Sequence, residues 1–444
     1  MESIPEIEIE PNGSLPYKPD DDRLATAVTD EWNGEKAYFH GVWHTYENGC
    51  WVVWDIQEIK RAIRLFLRKH RDVLPQGVTQ ARINAITAML EDDLFVSDRR
   101  LIQLQKATEN YINLQNGLFN LETFKLEPHQ RDLYFTNQLD FAYDPEADCP
   151  HFRRFLITSL SDENGKRDDE MIALTQEAMA YSMTARTDLK ASFWLVGKPD
   201  TGKSTLISLI RGLMGSLHST IDLNQLGPNR FLLAGIVGKR VVTFTEADTN
   251  VFLPDALYKA MVGGRDEIYV DVKNKPAITF VPTAKFWWAM NGAPRVNDRS
   301  GATLNRLRII LFEHAIPPEK RISNLDELLD QEKAGILNWL LYGYQRLVRA
   351  GQFTAPARSE RWREIYRKEN DTEANFVEQC VDLNSTYTVP TQELYYAYKN
   401  WCERSGFKPK NITQVAKEWR RLGLADKGYQ GHTKWHGGQL KPNV

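Results

Sequence analysis

Apolar positions change their period several times along this chain, and each change predicts an element. Residues 1–22 are rich in Pro, Asp, Glu and Gly with little periodicity, and read as a flexible tail. Around Cys50-Trp51-Val52-Val53-Trp54 the apolar residues alternate, which predicts short strands. From Asp55 the spacing lengthens. Ile56, Ile59, Ile63 and Phe66 recur at helical intervals, with Lys60, Arg61, Arg64 and Arg68 on other faces. Ile83, Ile86 and Leu90 predict a second helix, and Asn116-Gly117 a turn between strand-like pieces. The two prolines in YDPEADCPHFRRFL place a domain boundary near residue 150.

Residues 151–190 carry a helical pattern that leads into the apolar run Phe193-Trp194-Leu195-Val196. From there to about 315 strand-like runs alternate with helical ones, the pattern of an α/β layered core. A helical stretch runs to about 350, and the Ala-Pro-Ala at 355–357 marks a linker. Beyond it, Thr391 is placed to cap a helix with Leu394, Tyr398, Trp401 and Cys402 on its apolar face. Asn411 or Thr413 caps another, with Val415, Trp419 and Leu422 inward and Gly423 closing it. A Gly/aromatic ribbon around Trp435 ends the chain. The domains expected are a tail (1–22), an N-terminal domain (23–150), a core (151–355) and a C-terminal module (356–444).

Composition narrows the class. The 444 residues are too many for one ordinary core. Hydrophobic residues at 42% and charged residues at 26% describe a globular chain rather than a disordered one. No apolar run approaches the roughly 20 residues needed to span a bilayer, so no membrane is expected. The acidic N-terminus lacks an export pattern. Cys50, Cys149, Cys380 and Cys402 lie far apart with no CxxC pair, which argues against a disulfide framework and fits a cytoplasmic location. The net charge of −3 hides an asymmetry: from Lys399 onward ten Lys/Arg face three Asp/Glu. A basic end of this kind suits a polyanion.

Gly197–Ser204, GKPDTGKS, fits G-x-x-x-x-G-K-[ST] in full, between an apolar strand and an apolar-periodic helix. Gly197 and Gly202 let the backbone curl until its N–H groups face phosphate oxygens. Lys203 then reaches the β- and γ-phosphates, and the Ser204 hydroxyl, with Thr205 beside it, meets the nucleotide and its Mg²⁺. ATP and Mg²⁺ are the expected ligands. About forty residues on, Val241-Val242-Thr243-Phe244 leads into Thr245-Glu246-Ala247-Asp248; Glu246 is the first candidate for catalytic acid and Mg²⁺ partner, Asp248 the second. A third strand, Lys285–Met290, ends at Asn291, whose amide could bond the attacking water or γ-phosphate. The run LNRLRIILF predicts a further strand beginning with Arg306 and Arg308, either of which could reach a neighbouring subunit's nucleotide.

This ordered set, with YKAMVGGRDEIYVDVKNK and NDRSGATLNRLRIILF, closely resembles the superfamily 3 helicases of the phage/plasmid primase–helicase family, which includes the poxvirus primase–helicase. The likeness covers roughly residues 30–440. It implies a P-loop (AAA+-like) ATPase core, a mixed, mainly helical N-terminal domain and a C-terminal winged-helix domain. It further implies a homo-oligomeric ring, a hexamer, around single-stranded or forked DNA, with a primase or polymerase as a further partner. By resemblance Glu246 falls in Walker B, Asn291 at sensor 1 and Arg306 at the arginine finger, with Arg308 the alternative because the usual Arg-Arg is Asn305-Arg306 here. Lys273 and Lys275 fall on the pore hairpin that grips DNA, although Gly-Gly-Arg-Asp (Arg265, Asp266) replaces the usual Gly-Gly-Asp. Gln414, Lys417 and Arg421 share one face of a DNA-reading helix.

The expected activity is an ATP-dependent DNA helicase that replicates a phage, plasmid or other mobile element in a bacterial host or virus-infected cell. The alternatives are a DNA-remodelling or packaging ring ATPase and an ATP-regulated initiator. About 30 residues precede the recognisable region, which points to a stand-alone helicase or a piece of a longer protein.

Overall fold

The computed structural model describes residues 18–222, 230–244, 255–264, 266–270, 278–294, 303–407, 409–429 and 432–442. Two compact units divide the chain. One comprises residues up to Ala147 with 213–217 and 333–337; the other comprises 148–212, 218–332 and everything from Asn338.

The first unit is mainly helical. Helices Asp21–Trp32, Ile56–Lys69 and Gln80–Asp93 start at Asp20, Asp55 and Thr79, whose side-chain oxygens accept backbone N–H groups of the first turn. Ile59, Ile63, Ile83, Ile86 and Leu90 meet Leu24, Val28 and Trp43 in one core and are all at most 2% exposed. Two antiparallel meanders complete it, Lys36–Phe39/Val42–Glu47/Cys50–Trp54 and Tyr111–Leu114/Gly117–Asn120/Lys125–Glu127. A fourth helix, Asp98–Thr108, joins them.

The second unit is built on a five-stranded sheet whose strands we label β1 (Ser192–Gly197), β2 (His218–Ile221), β3 (Val241–Phe244), β4 (Lys285–Met290) and β5 (Leu307–Phe312). The order is β5-β1-β4-β3-β2 and every pairing is parallel. Parallel strands covered on both faces bury both sets of side chains, and β1 is apolar from Phe193 to Val196 for that reason. Trp194 and Trp288 pack edge to face on one side with Phe244. Phe193 and Trp287 pack on the other, where Trp287 Nε1 donates to Ser182 Oγ at 2.9 Å. The P-loop-like α/β core expected from the sequence is therefore present. β5 begins at Leu307, so Arg306 sits in a preceding 3₁₀ turn, Leu304–Arg306, rather than in the strand.

The C-terminal region departs from the helix-helix-ribbon pattern. Helix Ala357–Glu369 begins at the last residue of the expected Ala-Pro-Ala linker. After it come helix Thr372–Cys380, strand Val381–Pro390, helices Thr391–Arg404 and Ile412–Arg421, and strands Ala425–Tyr429 and His432–Leu440. The last strand is central and pairs antiparallel with both others. Thr391 does not cap its helix; Pro390 stands at the cap position, and Thr391 is the first helical residue. Asn411 does cap the next, its Oδ1 accepting from Gln414 N at 2.9 Å. Leu394, Tyr398, Cys402, Val415, Trp419 and Trp435 form the core of this region. No helix among the described residues is long and apolar enough to cross a membrane.

Candidate nucleotide site

The phosphate-binding loop leaves the sheet at the C-terminal end of β1, beside a switch in strand order where α/β proteins place ligands. Close packing dictates its glycines. A Cβ on Gly197 would lie 1.8 Å from the Phe312 carbonyl oxygen of β5. Gly202 has φ +97°, and a Cβ there would lie 2.5 Å from Ser159 Oγ and 2.9 Å from Phe155. Between them Asp200 adopts φ 62°, a left-handed conformation that Asp tolerates better than most residues. Its carbonyl accepts from Ile316 N at 2.9 Å, and its carboxylate lies 3.3 Å from Arg321, so the segment after β5 braces the loop.

Lys203 opens helix Lys203–Met214 and folds back onto its own loop. Its ammonium donates to Gly197 O at 2.7 Å and to Lys198 O, with Thr201 Oγ1 at 3.4 Å. A buried cation held among carbonyls beside a helix N-terminus is placed for an anion of phosphate type. Ser204 is exposed on the first turn and Thr205 is half-buried behind it. These residues fit a nucleotide's phosphates. Glu246 and Asp248, the other two expected Mg²⁺ partners, lie outside the described residues, as do Lys273 and Lys275. Among the described residues no group of three His, Cys, Asp or Glu side chains is arranged for a metal.

Asn291 follows β4 directly. Met290 pairs with Val196, so Asn291 emerges next to Gly197 on the neighbouring strand. A cavity of about 440 Å³ opens here, lined by Val196 and Asn291 and by Trp362, Tyr366 and Asn370, with Phe407 among its other walls. Trp362 and Tyr366 stack with centroids 4.9 Å apart, and the Tyr366 hydroxyl donates to the Pro294 carbonyl, tying the loop after Asn291 to helix Ala357–Glu369. Sequence reasoning missed Trp362 and Tyr366. The i,i+4 spacing of Trp362 and Tyr366, continued from Ser359, was the available signal.

Arg306 lies at the opposite end of the strands. Leu307 pairs with Ser192 and Phe312 with Gly197, so Arg306 is more than five residues of strand away from its own phosphate loop. Arg308 turns inward: its Nη1 donates to Asn305 O at 2.8 Å and to Leu307 O at 3.1 Å, and its guanidinium lies 5.4 Å from the Phe353 ring. Burial pulls its pKa below the ordinary arginine value.

Strands Ile268–Val270 and Ile278–Phe280 pair antiparallel, Val270 opposite Ile278, and flank the segment that carries Lys273 and Lys275. In the C-terminal region Lys417 and Gln414 are exposed on helix Ile412–Arg421. Arg421 is engaged, its Nη2 lying 2.7 Å from Asp371 Oδ2 and its Nε 2.8 Å from Glu418 Oε2.

Residues 25–160 match the "D5 N terminal like" family, 368–420 the "Poxvirus D5 protein-like" family, and 195–306 a family of unknown function. "Putative helicase 121R" of Invertebrate iridescent virus 3 is 23% identical over 397 residues, 79% of this chain and 41% of that protein. "Putative helicase L207/L206" of Acanthamoeba polyphaga mimivirus is 25% identical over 323 residues, covering 66% and 33% respectively. The chain thus spans less than half the length of these relatives. In fold it is similar to the apo structure of the NrS-1 C-terminal region, with a TM-score of 0.51 at 11% identity, covering 95% of this chain and all of that one.

Proposed function

The chain belongs to the D5-type primase–helicase family, and on that premise we propose that it is an ATP-dependent DNA helicase of superfamily 3, working as a ring on single-stranded DNA. The observation that carries the reading is the split of the chemistry between the two ends of one sheet's strands. The phosphate loop and Asn291 stand together at the C-terminal ends of β1 and β4, while Arg306 stands at the N-terminal end of β5. One copy cannot bring all three to a single nucleotide, but two neighbours in a homo-oligomer can.

In this scheme the loop N–H groups and Lys203 bind the phosphates, and Asn291 orients water or the γ-phosphate. Arg306 from the adjoining copy stabilises the charge that develops on transfer. Mg²⁺, held by Ser204 with Glu246 or Asp248, neutralises phosphate charge when bound. The cavity beside Asn291 gives the nucleoside an aromatic wall at Trp362 and Tyr366. Lys273, with Lys275, supplies one cation set per subunit to a collar around a strand. The antiparallel pair flanking that segment supports the hairpin.

The order helix–strand–helix–helix–strand–strand in residues 372–440 supports a winged-helix module with Lys417 on its exposed helix face. Arg421 contributes there only by giving up Asp371 and Glu418. A primase or polymerase would be a further partner, and the setting a virus-infected cell or bacterial host. Strand displacement on a forked duplex with ATP and Mg²⁺, run beside Glu246→Gln, tests the proposal. Unwinding by the native chain and not by the variant is expected. ATP hydrolysis without strand separation would instead favour a remodelling or loading ATPase.

A further inference from the structure

The first unit carries a cationic ridge that the ATPase scheme leaves unused. Residues 60–71, KRAIRLFLRKHR, contain six Lys/Arg and no acid, the densest cationic run in a chain whose net charge is −3. The fold sorts these residues. Ile59, Ile63, Phe66 and Leu67 face the core of the unit, which turns Arg61, Arg64, Arg68, Lys69 and Arg71 outward. Arg61, Arg64, Arg68 and Arg71 follow one another at intervals of three, four and three residues. At about 1.5 Å per residue they form a stripe roughly 15 Å long on one side of the helix and the turn that ends it.

The acids nearby do not cancel this charge. Glu58 lies 3.7 Å from Arg61 with both groups largely exposed, and Glu31 lies 3.1 Å from Lys69. Such exposed pairs are worth little and open readily to a competing anion. Asp72 is exposed at the end of the run. Arg64 Nη2 donates to Gln80 Oε1 at 3.0 Å, and Gln80 in turn to Asn84 Oδ1 at 3.2 Å, which extends the polar strip onto the neighbouring helix. Four guanidinium groups on a helix and the turn that ends it, with an amide donor alongside, match a linear array of phosphates.

We propose that this ridge is a second nucleic-acid contact, gripping the phosphodiester backbone outside the motor through Arg61, Arg64, Arg68 and Arg71. The choice of DNA as the polyanion rests on the helicase reading; the ridge itself does not. Because its donors meet phosphates and no base edges, the contact is independent of sequence and strongly dependent on salt.

The test uses the full chain without nucleotide, carrying Arg64→Glu, Arg68→Glu and Arg71→Glu. All three residues are exposed, so the variant should unfold within a degree or two of the native chain. A matched control carries Arg349→Glu, Arg361→Glu and Lys368→Glu, also exposed. Fluorescence anisotropy with a labelled forked DNA is read from 0.05 to 0.3 M salt. The ridge variant is expected to bind at least tenfold more weakly at 0.1 M, with the slope of log affinity against log salt shallower by about 2 to 3. The control should keep both within twofold, and ATPase without DNA should be unchanged in either variant. Equal losses in ridge and control variants would reduce the ridge to a general field effect and overturn the proposal. So would undiminished DNA affinity, whether or not the ridge variant loses binding to vesicles of phosphatidylcholine and phosphatidylserine. A chain that binds DNA through the ridge but hydrolyses no ATP would sink the helicase reading and leave the ridge standing.

Discussion

Arg306→Ala mixed with Lys203→Ala is the sharpest perturbation of the proposed two-ended site. Leu307 pairs with Ser192, and Gly197 lies five residues further along the same strand. At about 3.3 Å per residue the separation is about 17 Å, and about 20 Å from Arg306. An arginine side chain extends about 7 Å from its Cα, so it cannot serve the nucleotide of its own chain. Each variant alone is therefore inactive, for different reasons. Lys203→Ala lacks the cation that holds the phosphates but keeps a sound Arg306. Arg306→Ala keeps its loop, binds nucleotide, and loses about 10³-fold or more in turnover.

Mixing restores activity only where the loop of an Arg306→Ala subunit faces the arginine of a Lys203→Ala subunit. In a random equimolar ring this holds at one interface in four. If interfaces act independently, recovered ATPase reaches about a quarter of the native rate per subunit, against a background near zero. The assay is steady-state phosphate release after mixing and reassembly, with mixed assembly verified by differently tagged copies. Proven mixed assemblies with no recovery would refute action in trans. Hydrolysis by Arg306→Ala alone within twofold of native would remove it from the finger position altogether.

Other outcomes follow from single contacts. Gly197→Ala should cost several kcal/mol of stability, because a Cβ 1.8 Å from the Phe312 carbonyl forces two core strands apart; thermal unfolding close to native would contradict the packing. Lys273→Ala should keep ATPase without DNA and lose strand displacement, and full unwinding would refute the pore assignment. Trp362→Ala should raise KM for ATP several-fold with kcat changed little, as read by steady-state kinetics; a fall in kcat alone would place the cavity's role elsewhere. Stability should also depend on pH through His44, 4% exposed and stacked 3.6 Å from Phe39, which burial holds down at about 4 against an ordinary 6.5. The folded chain then binds fewer protons than the unfolded one between those values. His44 therefore contributes fully above about pH 6.5 and loses up to about 3 kcal/mol as pH falls toward 4. His218, also held down at about 4, adds to the same window. Denaturant titrations at pH 4.5 to 7 should show a shallower slope for His44→Gln, and parallel slopes would refute the assignment.

What the sequence made legible was local. The apolar runs of β1, β4 and β5 declared themselves because strands buried on both faces leave few polar positions, here Ser192, Lys285 and Arg308 near their starts. The helix at Ile56–Lys69 declared itself because three of its buried residues, Ile59, Ile63 and Phe66, keep helical spacing. What stayed hidden depends on partners distant in the chain. Strand β2, His218-Ser219-Thr220-Ile221, is short and polar, and is a strand because β3 pairs with it. Val381–Pro390 contains Asp382, Asn384 and Pro390, which local propensity disfavours, and is held by pairing with His432–Leu440. Helix Ala357–Glu369 is so rich in Arg and Glu that its apolar face is hard to read locally, yet Ser359 donates to Ile309 O at 2.7 Å and Tyr366 packs on Trp194.

The two arginines of LNRLRIILF show the same division within four residues. Local spacing cannot separate Arg306 from Arg308, since both precede the apolar run. The register can: β5 begins at Leu307, which makes Arg308 the second strand residue and turns it toward Phe353, where aromatic contact and two backbone carbonyls occupy its guanidinium. Arg306 stays outside the strand, in the turn that precedes it. A finger has to leave its own chain to meet a neighbour's phosphate. Moving Arg308 would strip its guanidinium of two carbonyl partners and a ring contact. Arg306 is therefore the residue we place at the interface, and Arg308→Ala should lower stability with nucleotide turnover retained in whatever fraction remains folded.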